Sequence, residues 1–363
     1  RVVAVSALVV GTLVYGGIQL TRDTGRVGPK VAVIQGDFIN SIDPEEAPEP
    51  HDRFKDAEKF RTYLSMIDAA AAQRPDVILL PETPWIMYLN PEVRDLFPLS
   101  RKSYAALQQR ASRYGATIIT GSASAIPTPN DLLAPMRRYN SATVFRPDGS
   151  EPQRYNKVHV VPFGETVPFR QGRFRFLYFW LNSLMPFSGP DGTVEYSIFP
   201  GTAFTRFELH AEGRSYRFGI PICYEDVMPY VARRFVSGGS KTKQADLLFN
   251  ISNDGWFGRG IQQPQHLAIC VFRAVENRVG IARAVNTGIS GFVEPSGRVH
   301  DTHMQDPQDR WPGACGYAVA RVGVDRRYTF YSRHGDWFAW GCAILWLIVF
   351  LDYWVLRVRE RLE

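Results

Sequence analysis

Residues 218–226 read Phe-Gly-Ile-Pro-Ile-Cys-Tyr-Glu-Asp, an apolar run that stops abruptly at a thiol followed by polar and acidic side chains. A strand that ends in this way delivers a nucleophile to the edge of its sheet. Two charged residues stand in comparable places: Glu82 follows the apolar residues 78–81, and Lys157 opens a motif-like loop. A carboxylate, an ammonium group and the thiol of Cys223 would together form a complete acyl-transfer site.

The chemistry of such a site assigns a task to each group. A thiol attacks a carbonyl well only as thiolate, so Cys223 needs a proton acceptor and a positive neighbour. Glu82 can supply the first and Lys157 the second. Lys157 can also stabilise the oxyanion, together with a backbone N–H such as that of Tyr224. Alone, each residue is weak evidence, because Glu and Lys are usually solvated and a cysteine is often a small buried hydrophobe.

Composition limits the classes of protein that this chain can be. With 363 residues, of which 45% are hydrophobic, it can build one large core or two ordinary ones. The formal net charge of +6 could suggest a nucleic-acid partner, but Lys and Arg are scattered and form no single stripe. We therefore expect no nucleic acid among the partners.

The four cysteines indicate no metal, no cofactor and no structural disulfide. They form no CxxC pair and no Cys/His set with zinc spacing. Cys270 falls at helical spacing with Leu267 and Ala274, and Cys342 lies in an apolar run. Both are therefore predicted to be small buried hydrophobes.

Both ends of the chain are apolar. Residues 1–21 contain an almost uncharged run, just long enough to cross a hydrocarbon layer of roughly 30 Å. Residues 337–356 form the stronger span, with Trp and Tyr as interfacial anchors. A cleaved signal peptide is the alternative for the first segment, but it lacks a convincing small-residue cleavage site. The sequence predicts two transmembrane helices.

The residues that flank the two spans predict their orientation. The basic tail 357–363 carries three arginines, which places that end in the cytoplasm under the positive-inside rule. Residues 30–333 would then lie on the extracytoplasmic side. Basic residues at 22, 26 and 30 weaken this orientation without reversing it. The chain does not begin with Met, which predicts that upstream sequence has been removed.

Between the spans, short β-rich runs alternate with amphipathic helical stretches. Residues 51–72 repeat apolar side chains at spacings of three and four, which is typical of a helix with one buried face, and residues 263–278 do so more weakly. The alternation predicts one α/β layered domain over residues 30–333. The predicted strands are 31–35, 77–80, 117–120, 142–145, 218–222, 247–251, 280–285 and 317–322.

Residues 169–187 break this alternation. The segment starts with three arginines and continues with a dense run of aromatic and aliphatic side chains, too short to span a bilayer. Such a composition indicates a loop or helix in the membrane interface, although a buried hairpin fits it equally well. The flanking spans favour the membrane. With residues 85–89 (Trp-Ile-Met-Tyr-Leu), this segment is a candidate lid and lipid entrance.

The sequences around Glu82, Lys157 and Cys223 together resemble the nitrilase (carbon–nitrogen hydrolase) superfamily. The Glu-Lys-Cys triad of that superfamily stands in three separated motifs in this order. The pair Pro81-Glu82 is similar to the glutamate motif, residues 155–157 to the lysine motif and residues 222–225 to the cysteine motif. The resemblance covers about residues 30–324. It implies an α/β fold, a four-layer αββα sandwich, here flanked by transmembrane helices.

Further motifs resemble the apolipoprotein N-acyltransferase family within this superfamily, and a closing span also fits. This likeness implies a membrane phospholipid as acyl donor, a thioester intermediate, and the N-terminal amine of a diacylglyceryl-cysteine apolipoprotein as acceptor. It also implies a multi-pass protein of the bacterial cytoplasmic (inner) membrane with a periplasmic catalytic domain. The family has several spans before that domain, whereas this sequence has one. The further motifs that carry this likeness to the N-acyltransferase family are residues 160–165, 250–258, 264–266, 273–276 and 286–290.

The resemblance assigns roles to the triad and to a second carboxylate. Glu82 becomes the general base, Lys157 the oxyanion stabiliser, and Cys223 the nucleophile that carries the acyl group. Glu165 matches a carboxylate that would orient Lys157 or the incoming amine.

Supporting positions are also implied. Tyr224 and Glu225 would shape the pocket, and Asn140 resembles a supporting polar position, although a turn residue opening the next strand fits Asn140 equally. Trp256 and Phe257 would line the acyl pocket, although large aromatics are more often part of a core.

Three alternatives stay open at this point. His159 and His266 both suggest a Cys-His pair with the nucleophile. His159, two residues beyond Lys157, could share its strand face, although nothing supplies a third orienting group. The protein could be a membrane-anchored amidase whose acyl-enzyme is released by water. It could also be a non-catalytic membrane relative that kept the fold.

Overall fold

The computed structural model describes residues 2–21, 26–38, 53–130, 135–170, 173–184, 197–257, 260–303 and 315–362. The helices of this part of the chain are α1 (Val2–Thr21), α2 (Arg53–Ala71), α3 (Pro98–Tyr114), α4 (Arg175–Ser183), α5 (Pro229–Ser237), α6 (Gln262–Asn277), α7 (Phe330–His334) and α8 (Trp337–Leu362). The strands are β1 (Arg26–Gln35), β2 (Val77–Leu79), β3 (Thr117–Pro127), β4 (Met136–Phe145), β5 (Gln153–Asn156), β6 (Phe207–Ala211), β7 (Arg214–Gly219), β8 (Leu247–Ser252), β9 (Gly280–Val285), β10 (Ser290–Val293), β11 (Val299–His303) and β12 (Gly316–Val324). Short 3-10 turns cover Arg94–Leu96, Cys223–Asp226 and Asp254–Phe257.

The strands form two six-stranded sheets with the same plan. The first has the order β12-β1-β2-β3-β4-β5 and the second β11-β10-β9-β8-β7-β6. In each sheet the three central strands are parallel and the outer strands are antiparallel. Parallel strands covered on both faces read as continuous apolar runs, and β2 and β8 are buried throughout.

The sheets stack face to face between layers of helices. Val33 and Leu79 of the first sheet share one core with Phe218 and Phe249 of the second. The same core continues to the outer face of the second sheet, where α5 and α6 pack. A second core joins the first sheet to α2 and α3. These are the four layers of an αββα sandwich, which confirms the predicted fold class.

Seven of the eight predicted strands lie within observed strands or extend past them by one residue. The exception is 218–222, because β7 ends at Gly219 and only an isolated bridge from Ile222 to Ile251 continues it. Pro221 lacks the N–H that a ladder needs, so the chain leaves the sheet just before Cys223. The predicted helix 51–72 is observed as α2, with residues 51 and 52 outside the described part.

α1 and α8 are long and apolar enough to cross a membrane over Val2–Thr21 and Trp337–Arg359, and none of the residues in these windows is buried. The helix predicted over 337–356 continues through the basic tail to Leu362. At the inner end of α1, Gln19 Oε1 accepts a hydrogen bond from Arg327 Nη1 at 2.9 Å. That contact docks α1 on the chain just beyond β12.

The aromatic segment 169–187 is a helix in its centre, not a hairpin. Within its described residues α4 buries Tyr178 and Asn182, whereas Phe176, Phe179 and Trp180 are exposed. Residues 171, 172 and 185–187 lie outside the described part. An exposed aromatic row, in a chain with two apolar helices, is the pattern expected of an interfacial helix, so the buried-hairpin interpretation is wrong for α4.

Candidate active site

Cys223 occupies a strained turn that follows β7 across residues 220–222. Its φ of 47° lies in the left-handed region, where a non-glycine residue costs about 1–3 kcal/mol. The turn is held by its own residues, since the backbone N–H of Ile222 donates to Glu225 Oε2 at 2.9 Å and the N–H of Glu225 to the carbonyl of Ile222 at 3.0 Å. These hydrogen bonds on either side of Cys223 hold the residue in its strained conformation.

Glu82 follows β2 across Leu80 and Pro81 and is buried. Its Oε1 accepts a hydrogen bond from Asn140 Nδ2 at 2.6 Å and lies 3.7 Å from Lys157 Nζ. Among the described residues, no N–H or O–H group donates to the buried Oε2 of Glu82. A hydrogen bond from the Cys223 thiol also lowers the pKa of this carboxylate. Oε2 is the oxygen available to take a proton.

Lys157 follows β5, and its side chain is only 1% exposed. Its Nζ donates to Glu165 Oε1 at 2.8 Å, and Asn140 Nδ2 donates to the same oxygen at 3.0 Å. Glu165 is held in turn by the backbone N–H of Val161 at 2.8 Å. One ammonium and one amide thus bind two carboxylates, and Lys157 is fixed in place. Asn140 lies inside β4, so the turn-residue interpretation is wrong.

The charges of this cluster set its protonation states. Burial raises the pKa of Glu82, Lys157 lowers it and Glu165 raises it. Burial alone would lower the pKa of Lys157, but Glu165 and Glu82 outweigh it and raise it, so the ammonium is kept. Burial and then Glu82 raise the pKa of Cys223 well above its usual range, against Lys157. The Cys223 thiol is therefore neutral at rest, and a nucleophilic role would require a base.

Glu225 connects the nucleophile turn to the lysine loop. It is completely buried, and its Oε1 accepts hydrogen bonds from Tyr155 Oη and Val158 N at 2.7 Å and from His159 N at 2.9 Å. With the bond from Ile222 N–H to Oε2, the carboxylate accepts four hydrogen bonds, three from residues 155–159 and one from the residue before Cys223. Glu225 therefore fixes Lys157 relative to Cys223 and does not itself line an open pocket.

The remaining predicted positions lie around this centre. Tyr224 is half-buried in the nucleophile turn, with its ring 5.8 Å from that of His159. Trp256 is 44% exposed in the turn after β8, so the core interpretation is wrong for it. The side chain of Phe257 lies outside the described part.

The structure gives the two histidines other partners than the thiol. His159 Nδ1 lies 2.7 Å from Tyr230 Oη, and the ring packs against Tyr224. His266 has carboxylates at both ring nitrogens, Asp226 at 2.6 Å and Asp254 at 2.8 Å. Neither geometry supports a Cys-His pair.

Arg283 is a residue of the His266 cluster that the sequence interpretation missed. Arg283 stands between alanines inside the continuously buried strand β9, and an arginine in such a run indicates a buried ion pair. Among the described residues, no group of three or more His, Cys, Asp or Glu side chains is arranged to hold a metal ion.

Gly121 allows the glutamate loop to approach β3 closely. Its N–H donates to Pro81 O at 3.1 Å, and a Cβ at residue 121 would lie 2.7 Å from Glu82 Cα. We expect Gly121→Ala to displace Glu82 and to slow acylation of Cys223 on the order of a hundredfold, the effect of misplacing a reacting group by about 1 Å. The measurement is single-turnover acylation followed by mass spectrometry.

Gly16→Ala is the matched control, because no atom lies within 4 Å of a Cβ placed there. Acylation by the Gly121 variant at the rate of the control would show that the close approach does not position Glu82.

An αββα sandwich with a buried carboxylate, ammonium and thiol defines a nitrilase-type protein. The family model for carbon-nitrogen hydrolases matches residues 30–311, and the chain belongs to that family. It is similar to the apolipoprotein N-acyltransferase of Geobacter metallireducens, at 32% identity over 94% of this chain and 57% of the relative. It is also similar to that of Chlorobaculum tepidum, at 28% identity over 92% of this chain and 59% of the relative. The chain thus spans less than three fifths of the length of these curated relatives.

Solved structures agree with the fold. A Saccharomyces cerevisiae member of branch 10 of the nitrilase superfamily superposes with a TM-score of 0.52 at 16% identity, over 83% of this chain and 92% of that chain. An amidase from Nesterenkonia sp. gives a TM-score of 0.50 at 16% identity, over 83% and 92%. The resemblance to the nitrilase superfamily is confirmed, whereas the roles of individual site residues stay predictions.

Proposed function

We propose that the protein is a membrane-anchored acyltransferase that N-acylates apolipoproteins through a thioester on Cys223. The observation that carries the proposal is the buried cluster in which Lys157 lies within 4 Å of two carboxylates, Glu82 and Glu165. The charges of Glu82 and Lys157 both act on the pKa of the Cys223 thiol, so the three groups share one site. Two exposed apolar helices on either side of residues 30–333 favour a substrate that resides in a membrane.

In the acylation half-reaction, Glu82 takes the proton of the Cys223 thiol as sulfur attacks the carbonyl carbon of a phospholipid ester. Lys157 and a backbone N–H, such as that of Tyr224, stabilise the tetrahedral oxyanion. The intermediate collapses, the C–O bond breaks, and Glu82 returns its proton to the departing lysophospholipid alkoxide. The acyl chain then remains on sulfur as a thioester.

In the transfer half-reaction, the α-amine of a diacylglyceryl-cysteine at the N-terminus of an apolipoprotein attacks the thioester. Glu82 accepts a proton from the amine, and Lys157 again holds the oxyanion. The C–S bond then breaks to give an amide, and Glu82 passes its proton to the departing sulfur, which restores the Cys223 thiol. Water must be excluded from the thioester, or hydrolysis replaces transfer. α4, with its exposed Phe176 and Trp180, is the proposed shield and lipid entrance. The lid predicted over residues 85–89 is wrong, because Trp85 and Met87 are buried in the core that joins the first sheet to α2 and α3.

The names of the relatives support the lipoprotein acceptor, and the apolar helices support the phospholipid donor. The proposal places α1 and residues 337–356 across the bacterial inner membrane, with residues 357–363 in the cytoplasm and the catalytic domain on the periplasmic side. Trp256, exposed beside the nucleophile turn, is the proposed wall of the acyl pocket.

The test uses the purified chain in vesicles of phospholipid with labelled acyl chains. We expect a labelled thioester on the peptide containing Cys223, and labelled N-acyl product when a diacylglyceryl-cysteine peptide is added. Cys223→Ser should form neither thioester nor product, because it lacks the sulfur and leaves a far weaker nucleophile. Both products are measured by mass spectrometry.

Two outcomes would overturn the proposal in different ways. Labelled fatty acid without N-acyl peptide would indicate a hydrolase of the amidase type. Absence of any label on Cys223 with intact donor present would indicate a non-catalytic relative.

A further inference from the structure

Four charged side chains from four elements form a closed ring behind the nucleophile turn. His266 of α6 contacts Asp226 Oδ1 through Nε2 at 2.6 Å and Asp254 Oδ1 through Nδ1 at 2.8 Å. Arg283 of β9 completes the ring, since its Nη1 lies 2.6 Å from Asp226 Oδ2 and its Nη2 3.0 Å from Asp254 Oδ2. Every oxygen of both carboxylates therefore has a cationic partner.

This geometry fixes the protonation state of His266. A neutral imidazole donates from one nitrogen only, and its other nitrogen would then turn a lone pair toward a carboxylate oxygen. Both ring nitrogens face carboxylates here, so the ring is an imidazolium. The cluster then has two positive and two negative charges, which is the arrangement that buried charges require.

The ring lies between the parts that place Cys223. Asp226 ends the nucleophile turn Cys223–Asp226, and Asp254 opens the turn that carries Trp256. Arg283 also donates to Asn250 Oδ1, whose amide donates to the carbonyl of Pro221 at 3.2 Å. The turn is thus held at both ends, by Asn250 before the cysteine and by Asp226 after it.

The ring also affects the electrostatics of the thiol. Asp254 is one of the groups that raise the pKa of Cys223, because its negative charge disfavours a thiolate. While His266 is positive, the ring has no net charge. When His266 loses its proton, the ring acquires one negative charge, and the thiolate becomes harder to form.

We propose that His266 is a positioning residue of the catalytic centre: its imidazolium locks the nucleophile turn to the Trp256 turn and neutralises the two aspartates behind Cys223. This role rests on the proposed function only in that Cys223 is the nucleophile. His266 does not touch the reacting atoms, and both its nitrogens are occupied, so it acts through Asp226 and Asp254.

The other ionisable groups packed around the ring come from α6 and do not replace His266. Arg273 donates to the carbonyls of Asp226 and Val227 and forms its ion pair with Glu276. Burial, together with Asp226, raises the pKa of Cys270 to about 12, so that thiol stays neutral. Burial lowers the pKa of His266, but Asp226, with help from Asp254, raises it to about 9 against the opposing charge of Arg283.

The experiment measures the alkylation rate of Cys223 by iodoacetamide, quantified on its own peptide by mass spectrometry between pH 6 and 10.5. His266→Gln should raise the apparent pKa of the thiol by about one unit, which slows alkylation at pH 8 about tenfold. The double variant H266Q/D254N should recover most of the rate, because it removes the uncompensated negative charge. His300→Gln, which removes a histidine paired with a single surface carboxylate, should leave the rate unchanged.

The unmutated protein provides a second readout that needs no variant to fold. Its alkylation rate should rise with pH and then fall below a single-ionisation curve as the pH passes about 9, where His266 loses its proton. A single-ionisation curve throughout, or a folded H266Q protein that alkylates at the unmutated rate, would overturn the proposal. This readout uses no acyl donor, so it separates failure of the positioning role from failure of the acyltransferase assignment.

Discussion

Replacing Lys157 with methionine is expected to slow acylation of Cys223 by at least about a thousandfold. Removing a single oxyanion donor costs about 10²–10³ in rate, and Lys157 is the proposed charged donor of this site. The substitution also leaves Glu82 and Glu165 sharing the amide of Asn140 with no cation between them. Two carboxylates in that position cannot both stay ionised, so one takes up a proton. A protonated Glu82 no longer acts as the base.

The same substitution is expected to destabilise the fold, since breaking a buried ion pair costs about 3–5 kcal/mol when a charge is left uncompensated. Proton uptake by one of the carboxylates reduces that cost. Lys243→Met is the matched control, because Lys243 is also largely buried and donates to the carbonyls of Arg278 and Asp325, away from the thiol. Both variants are measured by denaturant unfolding and by single-turnover acylation.

The control should lose stability and keep acylation near the unmutated rate. A Lys157→Met protein that forms the thioester within tenfold of the unmutated rate would remove Lys157 from the oxyanion site. Equal loss of acylation in both variants would attribute the effect to general destabilisation.

The sequence predicted the parts of the site that stand at the ends of strands. Glu82 and Cys223 each follow an apolar run, and a charged or reactive side chain at such a point is visible without a structure. Glu225 was assigned to the pocket because it neighbours Cys223, but its contacts reach Tyr155 and Val158, about 70 residues away in the sequence. A single sequence does not show which distant backbone N–H groups a carboxylate will meet.

The helix α3 and several strands near the sheet edges were missed by the sequence interpretation, for different physical reasons. α3 buries Ser100 and Ser103 beside Leu107 and Ala111, so its inward face has little apolar contrast with its outward face. Pro98 at its first position and Gly115 at its left-handed C-cap are typical of helix ends, but they do not predict a helix without an apolar face between them. β5, β6, β10 and β11 are short antiparallel strands toward the sheet edges, where propensity is weak and pairing decides.

Replacing Glu225 with glutamine is expected to have the second large effect, although the side chain keeps its shape. The carboxylate accepts hydrogen bonds at both oxygens, three donors at Oε1 and the N–H of Ile222 at Oε2. An amide has one oxygen and one NH₂ group, so in either orientation at least one buried N–H faces another donor. Leaving a buried donor unsatisfied costs about 1–3 kcal/mol, and glutamine in its better orientation loses one such bond.

The catalytic effect follows from the location of that bond. Ile222 precedes Cys223, whose left-handed φ persists only while its surroundings enforce it. With the bond to Ile222 lost, the turn can relax toward an unstrained conformation, which moves the sulfur away from Glu82. We expect acylation to fall roughly a hundredfold, the usual cost of a misplaced reacting group. Unfolding in denaturant and single-turnover acylation measure the two effects.

Glu151→Gln is the matched control, because that exposed carboxylate, like Glu225, accepts a hydrogen bond from a tyrosine, Tyr104. It accepts another from Arg94. A surface pair of this kind contributes at most about 1 kcal/mol, so the control should lose little stability and no activity. Glu225→Ala adds a further step, since it removes all four hydrogen bonds to the carboxylate, two of them fully buried, and should be less stable than the glutamine variant. If E225Q acylates at the rate of E151Q, the strained turn does not depend on Glu225, and the nucleophile is positioned by the Asn250 and Asp226 contacts alone.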